Sequence, residues 1–93
     1  MSSRPHEVAW TSPAKRALRR LPEKVATAAM ELIYGALAAD PRRAGRSLRL
    51  DLTGVHSARR GEYRVLYRID DEARRVYVMT IEHRADVCRE RSR

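Results

Sequence analysis

The sequence predicts a small α+β domain in which two helices cover one face of a mostly antiparallel sheet. In the first half of the chain, apolar residues recur every three or four positions, which is the period of a helix. From residue 55 onward, apolar residues alternate with polar ones, which is the period of a strand. The 93 residues can bury one modest core, so we expect residues 1–93 to form a single domain.

The first half of the chain predicts a short strand and then two helices. Residues 6–12 have the pattern of a strand. The first helix is predicted to begin with Ser12 as N-cap and Pro13 in its first turn, where proline is favourable. Pro22 interrupts the helical pattern and begins a second helix. That helix ends before Pro41, because the residue that precedes a proline avoids helical dihedral angles.

The second half predicts three consecutive antiparallel strands. We expect residues 40–54 to form a connecting loop. The alternation then predicts strands over 55–59, 63–70 and 76–82, with a tight turn at Gly61 between the first two. The expected order is therefore β-α-α-β-β-β, followed by a short C-terminal tail or helix.

The central predicted strand has an apolar face and a basic face. Tyr63 and Tyr67 are expected to pack on the helices, whereas Arg64 and Arg68 point the other way. A sheet face that no helix covers can present such arginines to a ligand. The simpler interpretation is a solvated strand face with acidic neighbours across the strands.

The charge balance favours nucleic acid or an acidic partner. Lys and Arg total 20 against 12 Asp and Glu, which gives a net charge of +8. Only Lys15 and Lys24 are lysines, and the planar guanidinium of arginine matches the geometry of phosphate. A pI near 10.7 on a domain of this size is typical of proteins that bind nucleic acid.

Several other classes of protein are disfavoured. The lone cysteine, Cys88, excludes an intramolecular disulfide, and the three histidines lack metal-ligand spacing, so we expect neither a metal nor a cofactor. The N-terminal residues contain no apolar run typical of a signal peptide. No stretch approaches the roughly 20 apolar residues that span a bilayer. We therefore expect a cytoplasmic protein that does not bind membranes.

Two segments, LTGVHSARRGEYRVLYRID and VMTIEHRADVCR, resemble the RelE toxins of the RelE/ParE superfamily of bacterial toxin–antitoxin pairs. The family pattern has a Leu-x-Gly, a strand that ends in Arg, a Gly turn, a Tyr-Arg-x-x-Tyr strand and a late His-Arg-x-x-x-Tyr. The matching residues here are Leu52 and Gly54, Arg59, Gly61, Tyr63, Arg64 and Tyr67, and His83 and Arg84.

The resemblance implies a ribosome-dependent endoribonuclease that cuts mRNA in the ribosomal A site. In that chemistry a 2′-hydroxyl attacks the adjacent phosphorus and leaves a 2′,3′-cyclic phosphate and a 5′-hydroxyl. Preorganised guanidinium groups can stabilise the charge that develops on the phosphate oxygens. One group must accept the proton of the 2′-hydroxyl and another must protonate the leaving oxygen.

The resemblance also implies the site residues. Arg64 is expected to bind the phosphate and stabilise its charge, with Arg84 as a second cation and Arg59 contacting RNA or assisting catalysis. His83 has an ordinary pKa near neutrality and is a candidate acid or base. It can share a site with Arg84 only if the strand has ended, because consecutive strand residues face opposite sides. The other residues expected to contact RNA are Arg60, Arg68, His56, Lys15 and Arg19.

Two positions depart from the family pattern. Cys88 replaces the late tyrosine, and cysteine cannot stack on a base and has a different ordinary pKa, about 8.5. Ser57 stands where some relatives carry a lysine or arginine. Both departures leave open which groups supply the acid and the base.

The resemblance implies three partners and leaves two alternatives. The partners are mRNA, the ribosome and a RelB-like antitoxin, acidic and bound by a helix or an extended segment. DNA would be reached only through the toxin–antitoxin complex. One alternative is a ParE-like toxin that inhibits DNA gyrase and cuts nothing. The other is a non-catalytic RNA-binding or ribosome-binding module, whose binding would weaken with salt.

Overall fold

A five-stranded sheet with helices on one face makes up the computed structural model, which describes residues 5–48 and 54–83. The helix over Glu23–Leu32 continues as a π-helical segment over Ile33–Leu37. No helix in these two ranges is long and apolar enough to cross a membrane. The elements, in chain order, are β1 (Glu7–Trp10), α1 (Ser12–Arg20), α2 (Glu23–Leu32), α3 (Pro41–Ala44), β2 (Arg46–Ser47), β3 (Val55–Arg60), β4 (Tyr63–Asp70) and β5 (Arg75–His83).

The sheet has the order β1-β5-β4-β3-β2. The strands β3, β4 and β5 form the predicted antiparallel meander, with β4 in the centre. The strand β1 pairs with β5 in parallel, and β2 adds an antiparallel edge next to β3. The predicted α+β class is confirmed, and the register fixes which residues of β3, β4 and β5 share a face.

The N-terminus of α1 is tied to the sheet through a threonine. Thr11, rather than the predicted Ser12, is the N-cap, and its Oγ1 accepts a hydrogen bond from the Ala14 amide at 3.4 Å. The same hydroxyl donates to the Val78 carbonyl of β5 at 2.7 Å. One side chain therefore caps α1 and attaches it to a central strand.

The predicted loop over 40–54 is partly wrong, because α3 and β2 lie within it. The Tyr67 hydroxyl, which is buried, donates a hydrogen bond to the Pro41 carbonyl at 2.5 Å. The strand β2 pairs with the start of β3. Contacts with distant parts of the chain thus hold this segment in place, and the local sequence pattern does not predict such contacts.

The core lies between the helices and the sheet. Tyr63 and Tyr67 are buried there, as predicted, and Arg64 and Arg68 are exposed on the opposite face of β4. The largest fully buried side chains are Tyr67, Ile33, Leu37, Val65, Val76 and Val78.

Candidate active site

A basic cleft of about 600 Å³ lies on the open face of the sheet, near the edge formed by β2 and the end of α3. Four of its eight lining residues are arginines, and none is acidic. We call it the arginine cleft. It is lined by Arg43, Ala44, Gly45, Arg46, Leu48, Ser57, Arg59 and Arg64.

Strand register brings the two predicted arginines together. Arg59 of β3 pairs directly with Arg64 of β4, and residues that face each other across an antiparallel pair lie on the same side of the sheet. Arg46 of β2 pairs with Ser57, which lies two residues before Arg59 and therefore on the same face. Three neighbouring strands thus project cations into one cleft.

A glycine allows α3 and β2 to approach β3 closely. A Cβ at Gly45 would lie 2.4 Å from the Ser57 carbonyl oxygen and 2.7 Å from the Tyr67 hydroxyl oxygen. The Gly45 backbone is extended, with φ at −145°, so lack of space rather than dihedral strain requires glycine here. The close approach positions Arg43 and Arg46, which flank Gly45, against the rest of the cleft.

The electrostatics of the cleft favour an anion. Arg64 Nε lies 3.5 Å from Glu82 Oε1, and both side chains are nearly half exposed. An ion pair this exposed is weak, so the Arg64 guanidinium stays available to a ligand. Among the residues that the structure describes, no carboxylate forms a salt bridge with Arg43, Arg46 or Arg59. An anion in the cleft would relieve repulsion among these cations.

Two of the predicted site residues face the helices instead. His83 pairs with Tyr63 on the covered face and is buried, and its Nε2 lies 3.9 Å from Glu62 Oε1. Arg60, the other strand residue opposite Tyr63, is exposed at the rim of the same face. The β5 strand continues through His83, so the structure does not bring this histidine to Arg64.

The remaining predicted RNA contacts are dispersed. Arg68 lies on the open face outside the arginine cleft, with its Nη1 2.9 Å from where a Cβ on Gly54 would be. His56 stacks on Tyr67 with 5.5 Å between ring centroids. Burial, and then the charge of Arg42, lower the pKa of His56, so this histidine favours its neutral form. Lys15 and Arg19 are exposed on α1, in the helix layer.

Three positions of the prediction, Leu52, Arg84 and Cys88, lie outside the described residues, and so does the predicted C-terminal tail or helix. Sequence reasoning missed Arg43 and Arg46, which fall in the segment that was predicted to be a loop. The available signal was the basic run in DPRRAGR, although no periodicity marked which of its arginines share a surface.

The chemistry of the lining suits an anion such as phosphate. Guanidinium groups supply fixed positive charge and donate hydrogen bonds, and the Ser57 hydroxyl adds a neutral group that donates and accepts. None of these side chain types ordinarily titrates near neutral pH. Within residues 5–48 and 54–83, no three His, Cys, Asp or Glu side chains cluster as metal ligands would.

Sequence comparisons identify relatives along most of the chain. A family model described as the ParE toxin of the type II toxin–antitoxin system, parDE, matches residues 8–87. The toxin RelG of Mycobacterium tuberculosis is 46% identical over 85 residues, which cover 91% of this chain and 98% of the relative. The toxin RelE of the same organism is 52% identical over 81 residues, which cover 87% and 84%.

Solved structures share the fold. The toxin–antitoxin complex RelBE2 of M. tuberculosis contains a chain that matches with a TM-score of 0.85 at 44% identity, covering 91% of this chain and all of that one. A chain of the intact E. coli RelBE complex matches with a TM-score of 0.69 at 21% identity, covering 84% and 95%, and shows the fold alone. The family match and the identity to RelG and RelE together establish that this chain belongs to the RelE-type toxins of the RelE/ParE superfamily of type II toxin–antitoxin systems.

Proposed function

We propose that this toxin is a ribosome-dependent mRNA endoribonuclease and that the arginine cleft binds the scissile phosphate. The observation that carries the proposal is the convergence of four arginines, without an acidic residue, in one cleft on the open face of the sheet. A surface whose only purpose was solubility would mix both signs of charge.

In the proposed reaction the 2′-hydroxyl of one nucleotide gives its proton to a general base, and its oxygen forms a bond to the adjacent phosphorus. The bond from phosphorus to the 5′-oxygen of the next nucleotide breaks, and that oxygen takes up a proton. The products are a 2′,3′-cyclic phosphate and a 5′-hydroxyl. Extra negative charge develops on the phosphate oxygens in the transition state, and this charge is what Arg59 and Arg64 would stabilise.

Geometry supports a division of roles within this cleft. Arg64 lies on the central strand of the meander, where pairing on both sides fixes its backbone, and its weak contact with Glu82 leaves the guanidinium available. We therefore assign the main contact with the phosphate to Arg64 and a supporting contact to Arg59. Arg84, the second cation implied by the family pattern, is kept as a further candidate for stabilising the phosphate charge. The position of His83 on the covered face argues against its use as acid or base in this cleft.

A cognate antitoxin is the second part of the proposal. Chains that this toxin resembles were solved in toxin–antitoxin complexes, including RelBE2 at 44% identity. We expect a RelB-like antitoxin with an acidic toxin-binding segment, because such a segment complements the +8 charge of this chain. Toxin, ribosome and mRNA would meet in the cytoplasm.

The test is a cell-free translation reaction in which the 5′ ends of the mRNA are mapped with and without ribosomes. Wild-type protein should produce new ends in register with codons only when ribosomes are present, and Arg64→Ala should produce almost none. Arg75→Ala is the matched control, since it removes one arginine from the open face of β5 outside the cleft.

The matching family model is described as a ParE toxin, so the test also includes an assay of DNA gyrase supercoiling. Inhibition of gyrase supercoiling without new mRNA ends would replace the nuclease proposal with a ParE-like one. Translation that stops without cleavage would instead leave a ribosome-binding module. A 2′,3′-cyclic phosphate on the upstream fragment would contradict both alternatives.

A further inference from the structure

We infer that Arg43 and Arg46 form a second phosphate subsite, which binds the RNA backbone one nucleotide away from the phosphate held by Arg59 and Arg64. This inference rests on the proposed function. It extends that function from binding one phosphate to binding two successive phosphates of the RNA. Its ligand is single-stranded RNA.

The four arginines of the cleft form two pairs, and each pair lies on different secondary-structure elements. Arg59 and Arg64 face each other across β3 and β4. Arg43 and Arg46 come from the end of α3 and from β2, on the other side of Ser57. Strand geometry separates the backbones of Arg46 and Arg59 by about 8 Å, since they are one strand and two residues apart. Guanidinium groups on flexible stems at that spacing can bind two phosphates separately.

The cleft is large enough for more than one phosphate. A volume of about 600 Å³ exceeds what one phosphate group needs and matches a segment of nucleotide backbone. Its lining has four cations and few apolar groups, so it suits backbone contacts rather than a stacked base. Both Arg43 and Arg46 are exposed, and among the described residues neither forms a salt bridge with a carboxylate.

The neighbouring cation Arg42 shows that pairing is available in this segment. Arg42 forms a salt bridge with Asp71, on the turn between β4 and β5, and does not line the cleft. Arg43 and Arg46 project instead into the cleft on either side of Gly45, whose missing side chain lets the segment rest on Ser57. The local fold therefore separates a structural arginine from two that are open to a ligand.

The experiment measures binding of a 2′-O-methylated RNA oligonucleotide of about six nucleotides, within the range that small folds bind. The blocked 2′-hydroxyl prevents cleavage, so fluorescence anisotropy reports binding alone. The proteins are wild type, Arg43→Gln with Arg46→Gln, and Arg59→Gln with Arg64→Gln. Glutamine keeps much of the side chain and removes the charge. The control is Arg16→Gln with Arg20→Gln, which removes the same charge from exposed positions of α1.

For Arg43→Gln with Arg46→Gln, we expect the affinity for the oligonucleotide to fall about tenfold. We also expect the slope of log K against log salt to become shallower by about 0.7, which is the value for one phosphate contact on a single strand. The α1 control should keep the slope of the wild type. Thermal unfolding midpoints of all variants verify that they are folded.

Binding of Arg43→Gln with Arg46→Gln that equals the control in affinity and slope would overturn the second subsite. Wild-type protein that fails to bind the oligonucleotide at low salt would overturn it as well. The proposed function is tested separately, by whether the wild-type protein cleaves mRNA in the presence of ribosomes. If Arg43→Gln with Arg46→Gln keeps the wild-type slope of log K against log salt but loses cleavage, the second phosphate subsite is contradicted. The assignment of the protein as a nuclease is then unaffected.

Discussion

The two faces of the central strand β4 differ in what their side chains contact. On the helix-covered face, Val65 and Tyr67 are fully buried against the core. On the open face, Arg64 is nearly half exposed beside Glu82 and lines the arginine cleft. Alternate residues of one strand therefore separate the groups buried in the core from those that line the arginine cleft. Substitutions on the two faces should have separable effects.

A second contrast is between the arginines of the cleft and those elsewhere. Arg75 of β5 donates two hydrogen bonds to Glu7 Oε1, at 2.9 and 3.1 Å, and Arg42 pairs with Asp71. Such cations help to hold neighbouring elements together. In the arginine cleft, Arg43, Arg46 and Arg59 form no salt bridge with a carboxylate among the described residues, and the exposed contact of Arg64 with Glu82 is weak. Position and pairing therefore distinguish the cleft arginines from Arg42 and Arg75 better than their number does.

The largest expected effect is that of Arg64→Ala on cleavage. Removing one preorganised donor to a developing anionic charge typically lowers the rate about 100- to 1,000-fold. Because Arg64 is exposed, the unfolding midpoint should stay near that of the wild type. Ribosome-dependent cleavage rates and thermal melts of the same samples check this. A variant with wild-type cleavage would contradict the assignment of Arg64.

Ile33→Ala tests the covered face. Ile33 is fully buried in the core, and loss of an isoleucine side chain to a cavity typically costs about 2–5 kcal/mol. Urea denaturation should show this loss of stability, while cleavage at a temperature where the variant is folded should stay within about twofold, because no cleft residue changes. If cleavage by Ile33→Ala falls as far as cleavage by Arg64→Ala, the two faces of the sheet do not have separate effects on stability and activity.

Tyr67→Phe tests the link between the core and the cleft. The change removes the buried hydrogen bond to the Pro41 carbonyl, and loss of one such bond typically costs about 0.5–1.5 kcal/mol. Because this bond fixes the start of α3, which leads to Arg43, we also expect weaker RNA binding than in Ile33→Ala. Urea denaturation and the anisotropy measurement check the two effects.

The same variant gives a pH signature. Burial raises the pKa of Tyr67 from 10.0 to about 12. Between those values the unfolded chain loses the phenolic proton and the folded chain keeps it, so this tyrosine makes the free energy of unfolding fall as pH rises from about 10 to 12. Tyr67→Phe should show a smaller decline over that window than the wild type. Equal declines in the two proteins would show that the hydroxyl is not buried as described.

Arg75→Ala should have the smallest effect. Its partner Glu7 is mostly exposed, and surface ion pairs contribute about 0–1 kcal/mol. Both the unfolding midpoint and the cleavage rate should therefore remain close to the wild-type values. A loss of cleavage comparable to that of Arg64→Ala would mean that total charge, rather than the cleft, determines activity.

Periodicity was enough to predict the meander, the two main helices and the basic face of β4. It could not predict α3 and β2, because these elements are short and depend on long-range contacts such as that of Tyr67 with Pro41. For the same reason the sequence did not indicate that Arg43 and Arg46 line the same cleft as the predicted residues Arg59 and Arg64. The family pattern also grouped His83 with these arginines, but strand alternation through the end of β5 places it on the covered face.

The most direct test of the arginine cleft as the active site compares cleavage with stability in one double variant, Arg59→Ala with Arg64→Ala. We predict that ribosome-dependent mRNA cleavage falls at least about 100-fold. We also predict that the unfolding midpoint shifts by no more than about 4 °C, which corresponds to less than 1 kcal/mol in a protein of this size. Undiminished cleavage would contradict the arginine cleft as the active site, and a large loss of stability would contradict the separation of the two faces.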